Sequence, residues 1–379
     1  MIYLDNAGTT KINQMVVAEM FPYITDLYGN PGSIHDLGLE ARHAVEIARE
    51  RVAKSINAEP EEIIFTSGGS EANSFMVRSA LAKLAYQGKH DAVSSKTEHE
   101  SMIQALKDNA FYLELLQYYY PVDCCQEIAK RGASGCSLVS MMYVNNELGF
   151  VNPVYEIGKM KDRYGFIFIT DCVQALGGEY IDVKRMNCDM MSISSHKIHG
   201  PKGVGAVYIK KEFKEYAAPV IYGGSNQEFG LRGGTENVPG IVGFGKACEL
   251  INVEENKTTI LSLRKAFLDS LKREFLHKNL EFRVNFDENE SKIVSLTFKN
   301  VDAETLVLLL SARGVYISAG SACKSLEQTP NEVLLASGFT ESDARSTVRI
   351  SLSCYNTKEE LEDAAKIIGE CVSLLVNGC

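Results

Sequence analysis

The stretch Asp189-Met190-Met191-Ser192-Ile193-Ser194-Ser195-His196-Lys197-Ile198-His199-Gly200-Pro201-Lys202-Gly203 begins as an alternating strand and breaks at once into a loop. The loop presents a hydroxyl, an imidazole and an amine in succession, then glycines and a proline. A second apolar strand resumes at Val204-Gly205-Ala206-Val207-Tyr208. A lysine at the end of a strand, beside side chains of phosphate-binding type, points to a Schiff-base lysine and hence to pyridoxal phosphate. A solvated loop lysine is the alternative, and on this stretch alone it is the better one.

Outward from that stretch, strand-like and helix-like segments alternate. Glu61–Thr66 reads as a strand, followed by Ser67-Gly68-Gly69 and a helical run from Ser70 to about Gln87. Cys136–Val144 is a second apolar strand, Val154–Tyr164 a helix, and Phe166–Asp171 another buried strand. This rhythm predicts an α/β fold with a mostly parallel sheet covered by helices on both faces. Ligands of such sheets sit beyond the carboxyl ends of the strands, where most of the candidate residues fall. Near residue 250 the pattern changes. Helices are predicted over 239–254 and 258–275, then a strand at Ile293–Phe298 and a helix over 303–312. A smaller α/β domain therefore covers 251 to the end.

The 379 residues suit two domains, with 45% hydrophobic and 23% charged residues in the range of ordinary globular chains. A net charge of −10, with no long Lys/Arg block, argues against a dedicated nucleic-acid binder. No apolar run approaches the roughly 20 residues that span a bilayer, and Met1–Asn6 lacks the basic start of a signal peptide. The cytoplasm is the expected compartment. The ten cysteines contain no C-x-x-C pair, which argues against a ribbon-type metal site and predicts mostly buried thiols.

The candidate site residues each have a plainer reading. Gly68-Gly69-Ser70 can present helix-start amides to an anion, or Ser70 can simply cap the helix. His99 can stack on a ring and shuttle protons, or cap a helix. Asn145-Asn146 can form a turn, or Asn146 can bond a phenolic oxygen or a substrate carboxylate. Asp171 ends a very apolar strand, poised to pair with a pyridinium nitrogen, with Gln174 three residues on; helix capping competes. Cys323 lies among small residues (Ser318-Ala319-Gly320-Ser321-Ala322) with Lys324 after it, a composition that suits an accessible, reactive thiol. Arg349, within the strand-like Ser346–Ser353, can clamp a carboxylate or make an ion pair.

In this order and spacing the blocks resemble one family along the whole chain: the pyridoxal-phosphate-dependent cysteine desulfurases of the NifS/IscS type, within the class V aminotransferases. The blocks are Tyr3–Thr10, Asn30–His35, Phe65–Asn73, Lys96–His99, Val144–Gly149, Asp171–Gln174, Ser194–Gly203, Gly230–Thr235 and Ser318–Cys323. The resemblance implies fold type I of the pyridoxal-phosphate transferases: a large domain over 14–250 with a mostly parallel, seven-stranded type of sheet, and a small domain from 1–13 and 251–379. It implies Lys197 as the Schiff-base lysine, Asp171 on the pyridine nitrogen, Gln174 on the phenolic oxygen and His99 stacked on the ring. Gly69, Ser70, Ser194 and His196 would form the phosphate end. Thr235 would reach the phosphate of a second subunit in a homodimer. Asn146, also counted beside the cofactor, would hold the substrate carboxylate with Arg349.

The implied activity is conversion of L-cysteine to L-alanine, with a persulfide on Cys323 passed to a protein sulfur acceptor. Iron–sulfur scaffolds, tRNA-thiolation enzymes and molybdenum-cofactor proteins are the acceptor classes. No metal, membrane or direct nucleic-acid contact is expected. The alternatives are a selenocysteine lyase, another class V enzyme, or a non-enzymatic sulfur-relay scaffold, which the intact Lys197, Asp171 and His99 argue against. The chain departs from the family pattern at Gly8 (commonly Ala), Ser70 (commonly Thr), Ser195 (commonly Gly), Phe229 (an arginine) and Ser353-Cys354 (Gly-Arg).

Overall fold

A computed structural model describes residues 1–89, 91–110, 112–117, 121–224, 226–288, 290–320 and 331–378. The first strand, β1 (Ile2–Tyr3), stands apart from the seven that follow. These are β2 (Ile63–Thr66), β3 (Asp91–Ser95), β4 (Tyr112–Leu116), β5 (Leu138–Ser140), β6 (Ile167–Asp171), β7 (Met190–Ser194) and β8 (Gly205–Ile209). Among the described residues they form one sheet in the order β2-β8-β7-β6-β5-β3-β4. The pairs from β4 to β7 are parallel, and β8 is antiparallel to both β7 and β2. This is the expected α/β architecture.

All but the edge strand β4 are buried on both faces, and their side chains divide with period two. Ile63, Phe65, Val139, Phe168 and Ile193 enter one core with the helices Asp36–Ser55 and Val238–Glu249. Ile64, Leu138, Ile169, Met190 and Val207 enter the other with the helices Gly69–Tyr86 and Glu100–Asn109.

Four more strands, β9 (Arg283–Asn285), β10 (Ile293–Thr297), β11 (Val315–Tyr316) and β12 (Thr347–Ser351), lie towards the C-terminus. β12-β10-β9 form an antiparallel sheet, and β11 pairs with β1 in parallel. A third core gathers Leu4 with Phe267, Leu271, Val294, Leu296, Val348, Ile350 and Ile368. The N-terminal segment then runs from this sheet to the Lys197 loop. Asp5 bridges to Ser351, Thr10 N donates to His196 O, and Asn13 N donates to His199 O.

Some boundaries differ from those predicted. The helix expected over 239–254 ends at Glu249, and the next starts at Val253 rather than 258. Asn252 caps that start by accepting from Glu255 N, and Glu254 and Glu255 suit its positive end. The strand expected over 136–144 is regular only at Leu138–Ser140, because Asn145 Oδ1 accepts from Glu147 N and Leu148 N and turns the chain. Ser70 does not cap its helix; Gly68 does, at φ 153°.

One buried ion pair ties the sheet edge to its covering helix. Arg49 makes two 2.8 Å bonds to the carboxylate of Glu228 and donates to Ile63 O, while Phe65 N donates to Glu228 Oε2. Glu228 and Phe229 adopt φ of 43° and 59° to present this carboxylate. The Phe229 ring lies 5.0 Å from the Arg49 guanidinium and 4.4 Å from Lys214 Nζ. An arginine here would add a third cation; an aromatic face attracts both. No described helix is long and apolar enough to cross a membrane.

Candidate active site

β3 and β5 are neighbours in space, yet the chain leaves β3 towards β4 and leaves β5 towards β6. The order of connection reverses between them, which opens a crevice at their carboxyl ends. His99 follows β3, Asn146 follows β5, Asp171 ends β6, and Ser194 ends β7 with Lys197 just beyond. Together with Gly69, Ser70, Gln174, His196 and Arg349 they line a cavity of about 240 Å3.

Lys197 Nζ donates to Ala7 O and to Gly8 O at 2.7 Å. Burial pushes its pKa down to about 7, with Lys292 and Arg349 adding to the effect. Lys292, whose Nζ lies 3.5 Å from Lys197 O, went unread in the sequence because nothing local links β10 to this loop. Burial, reinforced by Lys197, takes His196 down to about 4, so its ring is a neutral hydrogen-bonding group tied to Thr9 Oγ1 at 3.1 Å.

Asp171 is fixed at both oxygens: Asn73 Nδ2 donates to Oδ2 at 2.8 Å and Val173 N to Oδ1 at 2.9 Å. The same Asn73 amide donates to Ser101 Oγ at 2.9 Å, and Ser101 Oγ lies 2.7 Å from His99 Nδ1. Ser101 N also donates to that nitrogen. His99 Nδ1 is thereby an acceptor, which leaves the ring proton on Nε2. Asn73 and Ser101 therefore join Asp171 to His99. Asn73 carries no individual reading in the sequence, and its i, i+3 spacing from Ser70 is the one local signal there.

Gln174 Nε2 donates to Ala7 O at 2.9 Å, while its Oε1 is buried without a partner in the chain. Ser194 Oγ and Asn146 Oδ1 are likewise buried and unpartnered. Such atoms are costly unless something binds them. Arg349, on a fully buried strand, is already engaged by Asp5 through Nη2 at 2.9 Å and by Glu147 through Nη1 at 3.2 Å. Thr235 is exposed and does not line the cavity of its own chain. Cys323 lies outside the described residues.

The departures at 8 and 195 have local reasons. A Cβ on Gly8 would lie 2.5 Å from Asp5 Oδ2, so glycine leaves room for the carboxylate that pairs with Arg349. The Ser195 hydroxyl sits where a Cβ on Gly200 would be, so that glycine accommodates it. Ser353 Oγ lies 3.0 Å from His199 Nε2, and Cys354 shares a small cavity with Lys292 and His199.

A family model described as Aminotransferase class-V matches residues 2–363. The chain is 38% identical to the cysteine desulfurase IscS of Methanosarcina thermophila over 387 aligned positions, covering 99% of this chain and 93% of that protein. Among solved structures, a NifS-like protein is similar with a TM-score of 0.87 at 32% identity, covering 98% of this chain and 99% of that one. The structure "SspA in complex with cysteine" is similar with a TM-score of 0.80 at 33% identity, covering 94% and 100%.

Proposed function

The chain belongs to the class V aminotransferase family, and from that premise we propose that it is a cysteine desulfurase, converting L-cysteine to L-alanine with transfer of the sulfur. The observation that carries this reading is the convergence of Lys197, Asp171, His99 and Arg349 on one cavity whose buried Gln174 Oε1, Ser194 Oγ and Asn146 Oδ1 lack partners. These residues fit pyridoxal phosphate, the cofactor of the family. In the proposal Lys197 holds it covalently, Asp171 and Gln174 meet the ring, and Gly69, Ser70, Ser194 and His196 take the phosphate. Bound there, pyridoxal phosphate supplies an electron sink for the pair left when the substrate's α-proton departs.

The chain's own residues do the rest. Once the substrate amine has taken its place on the cofactor, Lys197, whose pKa burial lowers to about 7, would take the α-proton as a neutral amine near neutral pH. His99 presents its Nε2 proton towards the cavity because Ser101 holds Nδ1. Asn146 and Arg349 orient the substrate carboxylate. The Cys323 thiolate attacks the substrate sulfur; a Cys323 persulfide forms as the carbon–sulfur bond breaks, and the carbon skeleton takes up protons and leaves as L-alanine. A protein acceptor then removes the persulfide sulfur by exchange with a thiol.

A homodimer is part of the proposal. Exposed Phe21 and Ile24 lie on the helix Gln14–Thr25, and exposed Tyr28 and Ile34 on the connection from it to the helix Asp36–Ser55. Both helices pack on Val238–Glu249, which starts three residues after Thr235. A second copy covering this apolar surface would bring an exposed Thr235 to its neighbour's phosphate. The partition into 14–250 and 1–13 with 251–379 is proposed likewise, supported by the separate core around Leu4.

The test is sulfide release from L-cysteine by purified protein with pyridoxal phosphate and dithiothreitol. Release should exceed that of a Cys323→Ala control, and equal rates would end the proposal. Asn73→Ala should lower kcat roughly tenfold or more, with a smaller change in KM, since a buried hydrogen-bonded carboxylate loses its partner. An unchanged pH profile and kcat would show that the link from Asp171 to His99 carries no function.

A further inference from the structure

Both side chains assigned to the substrate carboxylate give a donor to one oxygen of Glu147, although Arg349 Nη1 also donates to Asn146 O at 2.9 Å and its Nε is buried without a partner. Asn146 Nδ2 lies 3.1 Å and Arg349 Nη1 3.2 Å from Glu147 Oε1. The other oxygen of Glu147 accepts from Asn331 Nδ2 at 3.3 Å. The Glu147 and Arg349 side chains are each 4% exposed, so both lie out of bulk solvent. Resting on the reading of Asn146 and Arg349 as the carboxylate subsite, we propose that Glu147 is an internal stand-in for the substrate carboxylate. It holds these donors while the subsite is empty and releases them, taking one proton from solvent, when L-cysteine binds.

The crowding of carboxylates at Arg349 favours this exchange, with Lys197 the other cation acting on Glu147. Arg349 already faces two carboxylates, Asp5 and Glu147. A substrate carboxylate would be the third beside one guanidinium in a buried site, where like charges oppose ionisation. Asp5 is 22% exposed and occupies the other terminal nitrogen, so water can support its charge. Glu147 has no such support. Burial already raises its carboxyl pKa, and Arg349 is the main influence holding it down. The neutral acid also has an acceptor at hand: Asn146 Oδ1 is buried without a partner, one half-turn of the amide from Nδ2.

The titratable and charged groups around Glu147 are Arg349 on β12, Asp5 beyond β1 and Lys197 after β7. Lys96, Glu98, His99, Glu100 and Glu332 line the small cavity on its other side. Glu147 therefore sets specificity: a ligand without a carboxylate has nothing to exchange. The sign follows from the proton. Above the pKa of Glu147 a carboxylate ligand must bring a proton with it, so its affinity falls as pH rises.

The experiment compares 3-mercaptopropionate with 3-mercaptopropionamide as inhibitors of the cofactor-loaded enzyme from about pH 6 to about pH 9. Neither has an amine, so neither can displace Lys197, and they differ only at the carboxylate. The acid should lose affinity relative to the amide as pH rises. Glu147→Gln should remove that slope, tighten the acid about tenfold at the alkaline end, and lower KM for L-cysteine without raising kcat. A slope that persists in Glu147→Gln, or weaker acid binding in a variant of unchanged melting temperature, overturns the inference. Should the variant fail to fold, the wild-type ratio decides, and a constant preference for the acid overturns it. Equal affinities for acid and amide at every pH would instead remove the subsite reading, and this inference with it.

Discussion

Lys197→Ala should cost at least about three orders of magnitude in desulfurase turnover, the scale of losing a positioned general base. The visible imine absorbance obtained with pyridoxal phosphate should vanish as well. The fold should survive. The lysine's hydrogen bonds in this structure run to the Ala7 and Gly8 carbonyls, and its depressed pKa means that its charged form is disfavoured where it sits. The wild-type apoprotein offers a matching measurement. Its rate of imine formation should rise with pH through about 7, where the amine becomes neutral, and level off well below the range of an ordinary lysine. A persisting imine band in Lys197→Ala, or an inflection at the unperturbed value, would place the reactive amine elsewhere.

The largest expected loss of stability lies away from the chemistry. Arg49→Met leaves the Glu228 carboxylate buried without its cation, although Phe65 N still donates to it. Breaking a buried pair from one side costs about 3–5 kcal/mol. The denaturation midpoint of the transition that contains the large sheet should fall accordingly. Arg49→Met with Glu228→Gln should recover part of the loss, because no uncompensated charge then remains. A single variant as stable as wild type would mean that Glu228 finds another partner.

Much of this was legible because strand ends and chemistry coincide in the chain. Asp171, Ser194 and Lys197 each follow an apolar run, and an α/β sheet places such positions in one crevice. The limits lie in what cannot be read locally. Asn73 and Ser101 belong to two different helices, and no periodicity in either reveals that they meet between Asp171 and His99. The pairing of Arg349 with Asp5 joins residues 344 positions apart. Arg349 read alone was equally a clamp or an ion pair. The structure shows the ion pair, and the proposed exchange at Glu147 makes the two descriptions successive states of one residue.

Residues 2–10 are placed by partners far along the chain: Ile2 by Val315, Asp5 by Ser351, and Thr10 by the loop at His196. During synthesis they leave the ribosome ahead of everything that will hold them. The large sheet can assemble around its own contacts while this segment waits. A nascent chain released before β12 is made would carry Lys197 but lack the strand that positions Ala7 and Gly8 beneath it. The active site is thus complete only when residues 2–10 close onto β12 and the His196 loop.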